Sequence, residues 1–379
     1  MLNNTKNLVR CLSLIVLVAF LAGCAPSWAI EVCEDSGTPA PITQETWSEL
    51  SESFPKEMHE GKAVRLERAL WESGVKAIDH IQVDGKNYPW EAVYKDSWLL
   101  KDGRIKIGDE VAKVERIFVS WPPELPKVTA SLIDLAPTIA QTLGVDAPAL
   151  ATGRALGDHS ADRVVYIFLD GFGYRRYQEI KGEGITPFLD SLGEPLLGIT
   201  VFPSITKVAT AAMITGTTPK RNGVRCHCTR QTEAETIFDT LAKANRSTLA
   251  IEGSGIPFNL SQTKTILSGD HDGNGSTDDN VLANAIKAIE EGMPDFLWVH
   301  FHGIDNVGHQ YGPCTDEDVA TIKEVDGCVK EIVAALPSNT LVIICSDHGM
   351  HAVQEGDRLG NHGSLQATDM FVPIWLSLR

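Results

Sequence analysis

Three short apolar runs, each followed by acidic or imidazole residues, constrain the fold of this chain more than any other feature. The runs are VVYIFL (164–169), FLWVHF (296–301) and LVIIC (341–345). Each is rich in β-branched or aromatic residues and apolar on both faces, as in the central strands of a parallel sheet. Stretches with helical spacing lie between them, around 184–192, 206–215, 233–244, 279–292 and 316–335. This alternation predicts an α/β fold with a doubly wound, mostly parallel sheet flanked by helices.

Residue types that bind metals follow all three runs. They are Asp170 after the first, Asp305 and His309 after the second, Asp347 and His348 after the third, and His362 in the GNHG segment. Ligands bind outside the carboxyl ends of the strands in an open α/β sheet, so these side chains are expected to meet in one crevice. An Asp that ends a strand is often only a turn residue. The whole set, however, suits first-row divalent ions, above all zinc. Six ligands are too many for one tetrahedral zinc, so the sequence predicts two metal ions, which can clamp both oxygens of a phosphoryl transfer.

A nucleophile is predicted at Thr206, where a helix begins in VFPSITKVATAAMITG. Thr206 could simply cap that helix. A hydroxyl at a helix N-terminus also lies near free N–H groups that favour an anionic oxygen and bound phosphate. Metal coordination can convert such a hydroxyl into an alkoxide.

Residues from about 163 to 379 resemble the alkaline phosphatase superfamily, specifically the type I phosphodiesterases / nucleotide pyrophosphatases. The resemblance rests on the motifs VVYIFLDGFG, FPSITKVATAAMITGTTPKRNGV, DNVGHQYGP, SDHGM and GNHG. It implies an alkaline phosphatase-like fold and a two-zinc phosphoesterase that hydrolyses phosphodiester or pyrophosphate bonds of nucleotide-type substrates. A covalent phospho-threonine intermediate would form on Thr206. The implied zinc ligands are Asp170, Thr206, Asp347 and His348 at one site, and Asp305, His309 and His362 at the other.

Two alternatives to this function remain open from the sequence. The first is a phosphomonoesterase, or a phosphonate or sulfate ester hydrolase, of the same superfamily. Thr206 is not in the C/S-x-P-x-R setting of sulfatases, which disfavours the sulfate ester. The second is a non-catalytic surface lipoprotein that retains the fold. In nucleotide pyrophosphatases an Asn 21 residues after the Thr helps to hold a phosphate oxygen, and here that position is His227. Either His227 donates the equivalent hydrogen bond, or the alignment with the family shifts at this point.

The order of the motifs predicts a circular permutation. Residues 131–155, in SLIDLAPTIAQTLGVDAPALATGRAL, resemble a helix and tail that follow the last His in the superfamily, yet here they precede the first metal strand. We expect the helix at 131–144 to pack beside the strand at 371–377. Chain termini often lie close together, which makes such permutations tolerable.

The N-terminus resembles a bacterial lipoprotein signal. A basic start precedes the apolar run 11–22 and then Leu-Ala-Gly-Cys, so 1–23 would be the signal peptide and Cys24 would carry lipid. The alternative is a secretory signal cut after Ala29. Both predict an exported protein; the lipid form would be anchored extracytoplasmically on the cell or outer membrane. The remaining chain is divided into a tether (24–60), a small β-rich α+β module (61–125) and an alkaline phosphatase-like catalytic domain (126–379).

The net charge, a calcium-like loop and a pair of cysteines each give a further expectation. The net charge of −17 disfavours binding to nucleic-acid duplexes and is compatible with a small phosphoester substrate when metals supply positive charge. Asp270, Asp272 and Asn274 resemble the start of a calcium loop. Its twelfth position is Val281 instead of Glu, so an Asx-rich turn is the preferred interpretation over calcium binding. Cys314 and Cys328 are plausible disulfide partners.

Overall fold

The computed structural model of the protein describes residues 28–34, 38–121, 125 and 127–379. The predicted signal peptide and the lipidation site Cys24 lie outside the described residues. The described chain forms a β-rich N-terminal module (28–121) and an α/β domain (127–379), which pack against each other.

The α/β domain alternates helices and strands along the chain. Its elements are β10 (Ala130–Ser131), α4 (Leu135–Leu143), β11 (Arg163–Leu169), α5 (Tyr174–Ile180), α6 (Pro187–Ser191), β12 (Leu196–Ile199), α7 (Thr206–Thr215), α8 (Pro219–Asn222), α9 (Ile237–Lys243), β13 (Thr248–Glu252), β14 (Lys264–Leu267), α10 (Asp278–Glu290), β15 (Phe296–Phe301), α11 (Gly303–Tyr311), α12 (Asp316–Ala335), β16 (Thr340–Cys345), β17 (His351–Glu355), β18 (Arg358–Asn361), α13 (Ala367–Met370) and β19 (Phe371–Leu378).

The central sheet of this domain has eight strands within the described residues, in the order β10-β12-β19-β16-β11-β15-β13-β14. The three predicted runs are β11, β15 and β16, which lie side by side and parallel. Strand β19 is antiparallel to both of its neighbours, β12 and β16. Every residue of β15 and β16 is buried, as expected for strands covered on both faces. The predicted doubly wound, mostly parallel α/β fold is confirmed.

Helices cover both faces of the sheet and create two cores. On one face α4, α7 and α9 pack on the strands, and on the other α5, α10 and α12 do so. Helix α4 ends at Gly144, whose φ of 66° suits the left-handed helix terminator that the sequence predicts there. Side chains of α4 share one core with Val372 and Ile374 of β19. The permutation itself stays a prediction.

The N-terminal module contains two sheets. Its elements are β1 (Ala29–Glu34), β2 (Ile42–Thr43), α1 (Gln44–Ser53), β3 (Ala63–Arg65), α2 (Leu66–Ser73), β4 (His80–Val83), β5 (Lys86–Pro89), α3 (Trp90–Val93), β6 (Ser97–Leu100), β7 (Arg104–Ile107), β8 (Glu110–Lys113) and β9 (Arg116–Ser120). The sheet orders, among described residues, are β2-β1-β9-β4-β5 and β3-β6-β7-β8. Short 3₁₀ helices lie at Pro55–Glu57 and Tyr94–Asp96 in the module and at Leu132–Asp134 in the α/β domain.

The structure differs from the sequence prediction in the segment assigned to the tether. Residues 29–34 form strand β1, which pairs in parallel with β9. Ile30 and Val32 alternate with exposed or half-buried neighbours, so the apolar side of this short strand is buried in the module core. Helix α1 also falls within 24–60, and its capping Thr43 accepts a hydrogen bond from the N–H of Thr46. The module therefore begins well before residue 61.

A shared core joins the module to the α/β domain. It includes Leu70 and Ile78 from the module together with Phe202, Leu365 and Phe371 from the domain. Within the ranges that the structure describes, no helix is both long enough and apolar enough for a membrane span.

Candidate active site

Three neighbouring strands lead to the predicted metal ligands. Asp170 directly follows β11, and Asp347 lies just beyond the end of β16. Strand β15 leads into α11, where Asp305 and His309 are one helical turn apart and lie on the same face. Because β15, β11 and β16 are adjacent and parallel, their carboxyl ends bring these side chains to one edge of the sheet.

Three imidazoles complete the cluster, and each is fixed through its Nδ1 atom. The Nδ1 atoms of His309, His348 and His362 lie 2.8, 2.9 and 2.9 Å from backbone carbonyl oxygens. A carbonyl oxygen only accepts hydrogen bonds, so each Nδ1 carries a proton, and in the neutral form of each ring Nε2 presents a lone pair to the cluster. Metal-binding imidazoles are commonly anchored through their outer nitrogen in this way.

The first group of ligand atoms surrounds Nε2 of His348. This atom is 3.5 Å from Oδ1 of Asp170 and 3.2 Å from Oδ2 of Asp347. Oγ1 of Thr206 lies 3.3 Å from the same nitrogen. Thr206 is the first residue of α7, and the preceding Ile205 has no polar side chain to cap the helix. The predicted nucleophile therefore lies at an uncapped helix N-terminus, next to the first group of predicted ligands.

The second group of ligand atoms surrounds the carboxylate of Asp305. Its oxygens are 3.4 Å from Nε2 of His309 and 3.6 Å from Nε2 of His362. The rings of His348 and His362 stack with their centroids 3.7 Å apart, so the two groups adjoin. The structure thus brings together all of the predicted ligands. Their division into two separate metal sites stays a prediction.

Unsatisfied polar atoms show that this cluster fits a cation. Among the described residues, Oδ1 of Asp170, Oδ1 of Asp305 and Oδ2 of Asp347 are buried without a hydrogen-bond donor. The Nε2 lone pairs of His309 and His362 also face each other at 3.2 Å. Buried anions without donors are costly, and a divalent cation would satisfy these oxygens and nitrogens together. The candidate ligand groups here are Asp170-Asp347-His348 and Asp305-His348-His362.

Burial and mutual charge shift the pKa values of the cluster in opposite directions. Burial, together with the neighbouring carboxylates of Asp347 and Asp305, raises the pKa of Asp170 well above its ordinary value. Burial also opposes ionisation of Asp305, but the surrounding imidazoles outweigh it and hold the pKa of that carboxyl below its usual range. Burial and then the charge of His348 lower the pKa of His362 to about 3. The pKa values of these neighbouring carboxyl groups are thus driven apart, and a bound cation would favour the ionised form of both.

Gly171 allows the two groups of ligands to lie close together. Its φ is +74°, and a Cβ atom at this position would lie 3.0 Å from Oδ1 of Asp305. Its N–H also donates to Oδ1 of Asp347 at 3.1 Å. The glycine that follows Asp170 is therefore required both by the turn after β11 and by the close approach of Asp305.

His227 lies on a loop that is tied to the start of α7. Its carbonyl oxygen accepts a hydrogen bond of 2.8 Å from Nζ of Lys207. Burial of its ring and the positive charges of Lys207 and His348 lower its pKa. Its neighbours Cys226 and Cys228 form a disulfide that closes the loop around it. Its predicted contact with a phosphate oxygen stays a prediction.

The expected pairing of Cys314 with Cys328 is wrong. Both are free thiols, and Sγ of Cys314 donates to Oε2 of Glu179 at 2.8 Å. Cys328 lies within helix α12, which begins after Cys314.

A second cluster of ionisable side chains, which the sequence analysis does not identify, lies behind Asp170. It consists of His300 and His302, at the end of β15, and Glu252, the last residue of β13. Asp170, His300 and His302 are a third candidate ligand group among the described residues. Burial alone would raise the pKa of Glu252, but His300 and His302 outweigh it and lower the value to about 2. The signal in the sequence is the pair of histidines in HFH, which ends an otherwise apolar strand.

The calcium-like loop forms an Asx-rich turn. Oδ1 and Oδ2 of Asp270 accept from the N–H groups of Gly273 and Gly275, at 2.8 and 3.0 Å. Oδ1 of Asp272 accepts from the N–H of Asn274 at 3.1 Å. These side chains are occupied by the turn's own backbone, which agrees with the preferred interpretation of the sequence.

Comparison with models of known protein families identifies the family of this chain. Residues 164–370, more than half of the sequence, match the family model for type I phosphodiesterase / nucleotide pyrophosphatase. The chain therefore belongs to this family, a branch of the alkaline phosphatase superfamily, as its motifs predict. The family match assigns the chain to the class of phosphodiesterase-family proteins.

Curated relatives share shorter segments. The chain is 34% identical over 99 residues to GPI ethanolamine phosphate transferase 3 of Eremothecium gossypii, a match that covers 26% of this chain and 9% of the relative. It is 26% identical over 223 residues to GPI ethanolamine phosphate transferase 2 of Aspergillus fumigatus, covering 53% of this chain and 28% of the relative. The matches thus span less than a third of these relatives' lengths.

Solved structures with some likeness include phosphonoacetate hydrolase from Sinorhizobium meliloti in complex with phosphonoformate. That match has a TM-score of 0.41 and 18% identity and covers 55% of this chain and 61% of that one. Human ectonucleotide pyrophosphatase / phosphodiesterase 5 has a TM-score of 0.46 and 13% identity, with coverage of 56% and 87%.

Proposed function

We propose that this protein is an exported two-zinc phosphoesterase that cleaves phosphodiester or pyrophosphate bonds. The observation that carries the proposal is the set of three buried carboxylate oxygens without donors, on Asp170, Asp305 and Asp347, facing anchored imidazoles beside Thr206. Imidazole nitrogen and carboxylate oxygen are zinc ligands. Zinc bound by the two ligand groups would supply positive charge that polarises the phosphoryl oxygens and lowers the pKa of the Thr206 hydroxyl.

Thr206 would attack phosphorus in this mechanism. Nδ1 of His348 is engaged by the carbonyl oxygen of Gly349, so its Nε2 is the ring atom that faces the Thr206 hydroxyl, 3.3 Å away. Loss of the hydroxyl proton would be favoured by zinc bound at this group. The new Oγ1–P bond forms as the bond from phosphorus to the leaving alcohol breaks, and the leaving oxygen takes up a proton. The product is a phosphorylated Thr206 that retains the other ester group. The N–H groups at the start of α7 would stabilise the negative charge of this phosphate, because Thr206 is the first residue of that helix. Attack by water then breaks the Oγ1–P bond and restores Thr206.

Substitution of Thr206 tests the mechanism. We expect Thr206→Ala to lower turnover to about a thousandth or less, because the nucleophile is lost, while zinc still binds the remaining ligands. Acid quenching of the wild type with an aryl phosphodiester should yield a protein heavier by the substrate minus its leaving alcohol. Peptide mapping should place this adduct on Thr206. Turnover that persists in Thr206→Ala would contradict the proposal, as would an adduct elsewhere.

The substrate class is tested with a rate panel on the zinc-loaded protein. We expect an aryl phosphate diester to be cleaved faster than the corresponding monoester or sulfate ester. A preference of more than about tenfold for the monoester would reject the diesterase, and a preference for the sulfate ester would favour a sulfatase. A zinc-binding protein without turnover on any substrate would support the non-catalytic lipoprotein instead.

Transfer to an alcohol is a second candidate, and the names of the curated relatives favour it, since they are ethanolamine phosphate transferases. An alcohol in place of water can attack the same phospho-threonine. The assay is therefore repeated with glycerol as an acceptor. A new phosphodiester product at the expense of hydrolysis would identify a transferase, and unchanged product ratios would support a hydrolase.

We also propose that Cys24 carries a lipid and anchors the protein, on the extracytoplasmic side, to the cell membrane or the outer membrane. The LAGC motif after the apolar run supports this. A cut after Ala29 would remove the first residue of β1, where Ala29 pairs with Thr43, which favours cleavage before Cys24. Cys24→Ala should move the protein from the membrane fraction to the soluble fraction. A wild-type N-terminus that begins at Ile30 would contradict lipidation.

A further inference from the structure

His300 lies between two buried carboxylates, one of which is the predicted ligand Asp170. Its Nε2 is 3.1 Å from Oδ2 of Asp170, and its Nδ1 is 2.7 Å from Oε2 of Glu252. The side chains of His300 and Glu252 are 1% and 3% exposed. One nitrogen of the ring therefore faces each carboxylate, and the imidazole bridges Asp170 and Glu252 through a hydrogen bond on either side.

This arrangement fixes which oxygen of Asp170 faces the active site. Oδ2 is engaged by His300, whereas Oδ1 has no donor and lies 3.5 Å from Nε2 of His348. Rotation of the carboxylate would break the charge-assisted bond to His300. The imidazole therefore holds Oδ1 in the position where a ligand atom is needed.

Glu252 is itself held by three donors. Nε1 of Trp298 donates to its Oε1 at 2.9 Å, and His300 and His302 approach its Oε2 at 2.7 and 3.1 Å. These contacts fix the carboxylate, and the carboxylate in turn fixes the ring of His300. The ring also stacks on Phe168, with centroids 3.7 Å apart and planes 4° apart.

The geometry argues against a metal ion shared by His300 and His302. Their rings stack with centroids 3.8 Å apart and planes inclined by 29°. An imidazole binds a metal in the plane of its ring, and nearly parallel stacked planes do not converge on one ion. Both nitrogens of His300 are also occupied by carboxylates. The cluster is therefore suited to orienting Asp170.

We propose that His300, held in place by Glu252, is a positioning residue that orients Asp170 for binding of a metal ion. This inference rests on the proposed function, because it concerns the same metal site. Outer-shell hydrogen bonds of this kind typically contribute 10–100-fold to metal affinity.

The test measures zinc binding by full-length variants with a competing chelator. We expect His300→Ala to weaken one of two zinc equivalents by about 10–100-fold and to leave the other unchanged. His300→Gln should recover most of the affinity, because its amide can donate to Oδ2 of Asp170 in place of the imidazole. Phe168→Leu is the matched comparison: it removes the ring that stacks on His300 and keeps the contacts of His300 with Asp170 and Glu252, so its zinc affinity should fall by less than that of His300→Ala.

Glu252→Gln gives an independent measurement should His300→Ala fail to fold. It keeps the size of the side chain and removes the charge that holds His300, so we expect about a tenfold weaker zinc equivalent. Wild-type affinity in both His300→Ala and Glu252→Gln would overturn the proposal. So would equal losses in His300→Gln and His300→Ala. A wild type that binds two zinc ions but hydrolyses no phosphoester would contradict the proposed function alone, since the affinities still test the role of His300.

Discussion

The hydroxyl of Tyr94, in the N-terminal module, lies 2.9 Å from Nε2 of His351, in the α/β domain. Nδ1 of His351 in turn lies 2.8 Å from Oδ1 of Asp369. Oδ2 of Asp369 accepts from the backbone N–H and the hydroxyl of Ser364, two residues beyond His362. A continuous set of buried hydrogen bonds therefore connects the module to a segment that carries a predicted metal ligand.

Loss of the Tyr94 hydroxyl should destabilise the protein. Tyr94→Phe leaves Nε2 of the buried His351 without a partner, which costs about 1–3 kcal/mol. The measurement is the free energy of unfolding in urea. Tyr88→Phe is the control, because its hydroxyl bonds to the exposed Glu110 and its loss should cost less than about 0.5 kcal/mol. Equal effects of the two substitutions would contradict a structural role for the contact between Tyr94 and His351.

The stability of the protein should depend on the ionisation of Glu67. Burial in the module core, offset in part by Arg65 and Arg68, raises its pKa from 4.5 to about 7. The folded state therefore binds a proton more tightly than the unfolded chain. Its contribution to stability is complete below pH 4.5, is lost as the pH rises through 7, and amounts to about 3 kcal/mol.

Glu67→Gln tests this dependence, because the amide does not titrate. The variant should gain stability relative to wild type between pH 5 and pH 8, with the difference read from urea unfolding at each pH. A difference that stays constant across this range would show that Glu67 keeps an ordinary pKa.

We expect Asp170→Asn to destabilise the protein when zinc is bound and to stabilise it when zinc is removed. Without metal, the buried carboxyl of Asp170 avoids repulsion from Asp347 and Asp305 only by taking up a proton, whereas an amide is neutral at every pH. With a chelator present at neutral pH, the variant should therefore be about 1–3 kcal/mol more stable than wild type. With zinc present it should be the less stable protein, because it lacks a ligand oxygen. Asp369→Asn is the control, since Asp369 is fully hydrogen-bonded and its substitution should destabilise both forms. Thermal unfolding with and without zinc measures both effects.

If His227 donates to a phosphate oxygen, as proposed, substitutions at this position should lower activity to different extents. His227→Ala should lower kcat/KM by about tenfold or more, because a donor to a charged oxygen is removed. His227→Asn restores the residue type that the family resemblance suggests and should keep most of the activity. If both variants match wild type, another group holds the phosphate oxygen.

The positions of the predicted ligands could be derived from the sequence because each depends on local signals. Apolar runs such as 296–301 identify buried parallel strands, and a parallel sheet aligns their carboxyl ends. The proximity of Asp170 and Asp347 can therefore be predicted from the sequence alone. The bounds of β15 and of α12 agree with the sequence prediction to the residue.

The relation of Glu252 to Asp170 could not be derived in this way. Glu252 ends a short strand, and its partner His300 lies near the end of a strand that is otherwise apolar, so the sequence does not pair the two residues. Only the order of strands brings β13 next to β15, and this order is set by tertiary packing. Strand β1 could not be predicted either, because it depends on pairing with β9, which lies more than 80 residues away in the sequence.

The position of β1 also sets how far the enzyme can move if Cys24 carries a lipid. Ala29, the first residue of this strand, is only five residues from Cys24. Five residues span at most about 18 Å when fully extended. This short linker would therefore keep the folded protein close to the bilayer surface, where it can reach molecules in or at that membrane. A long flexible tether would instead have let the active site sample a wide volume of solution.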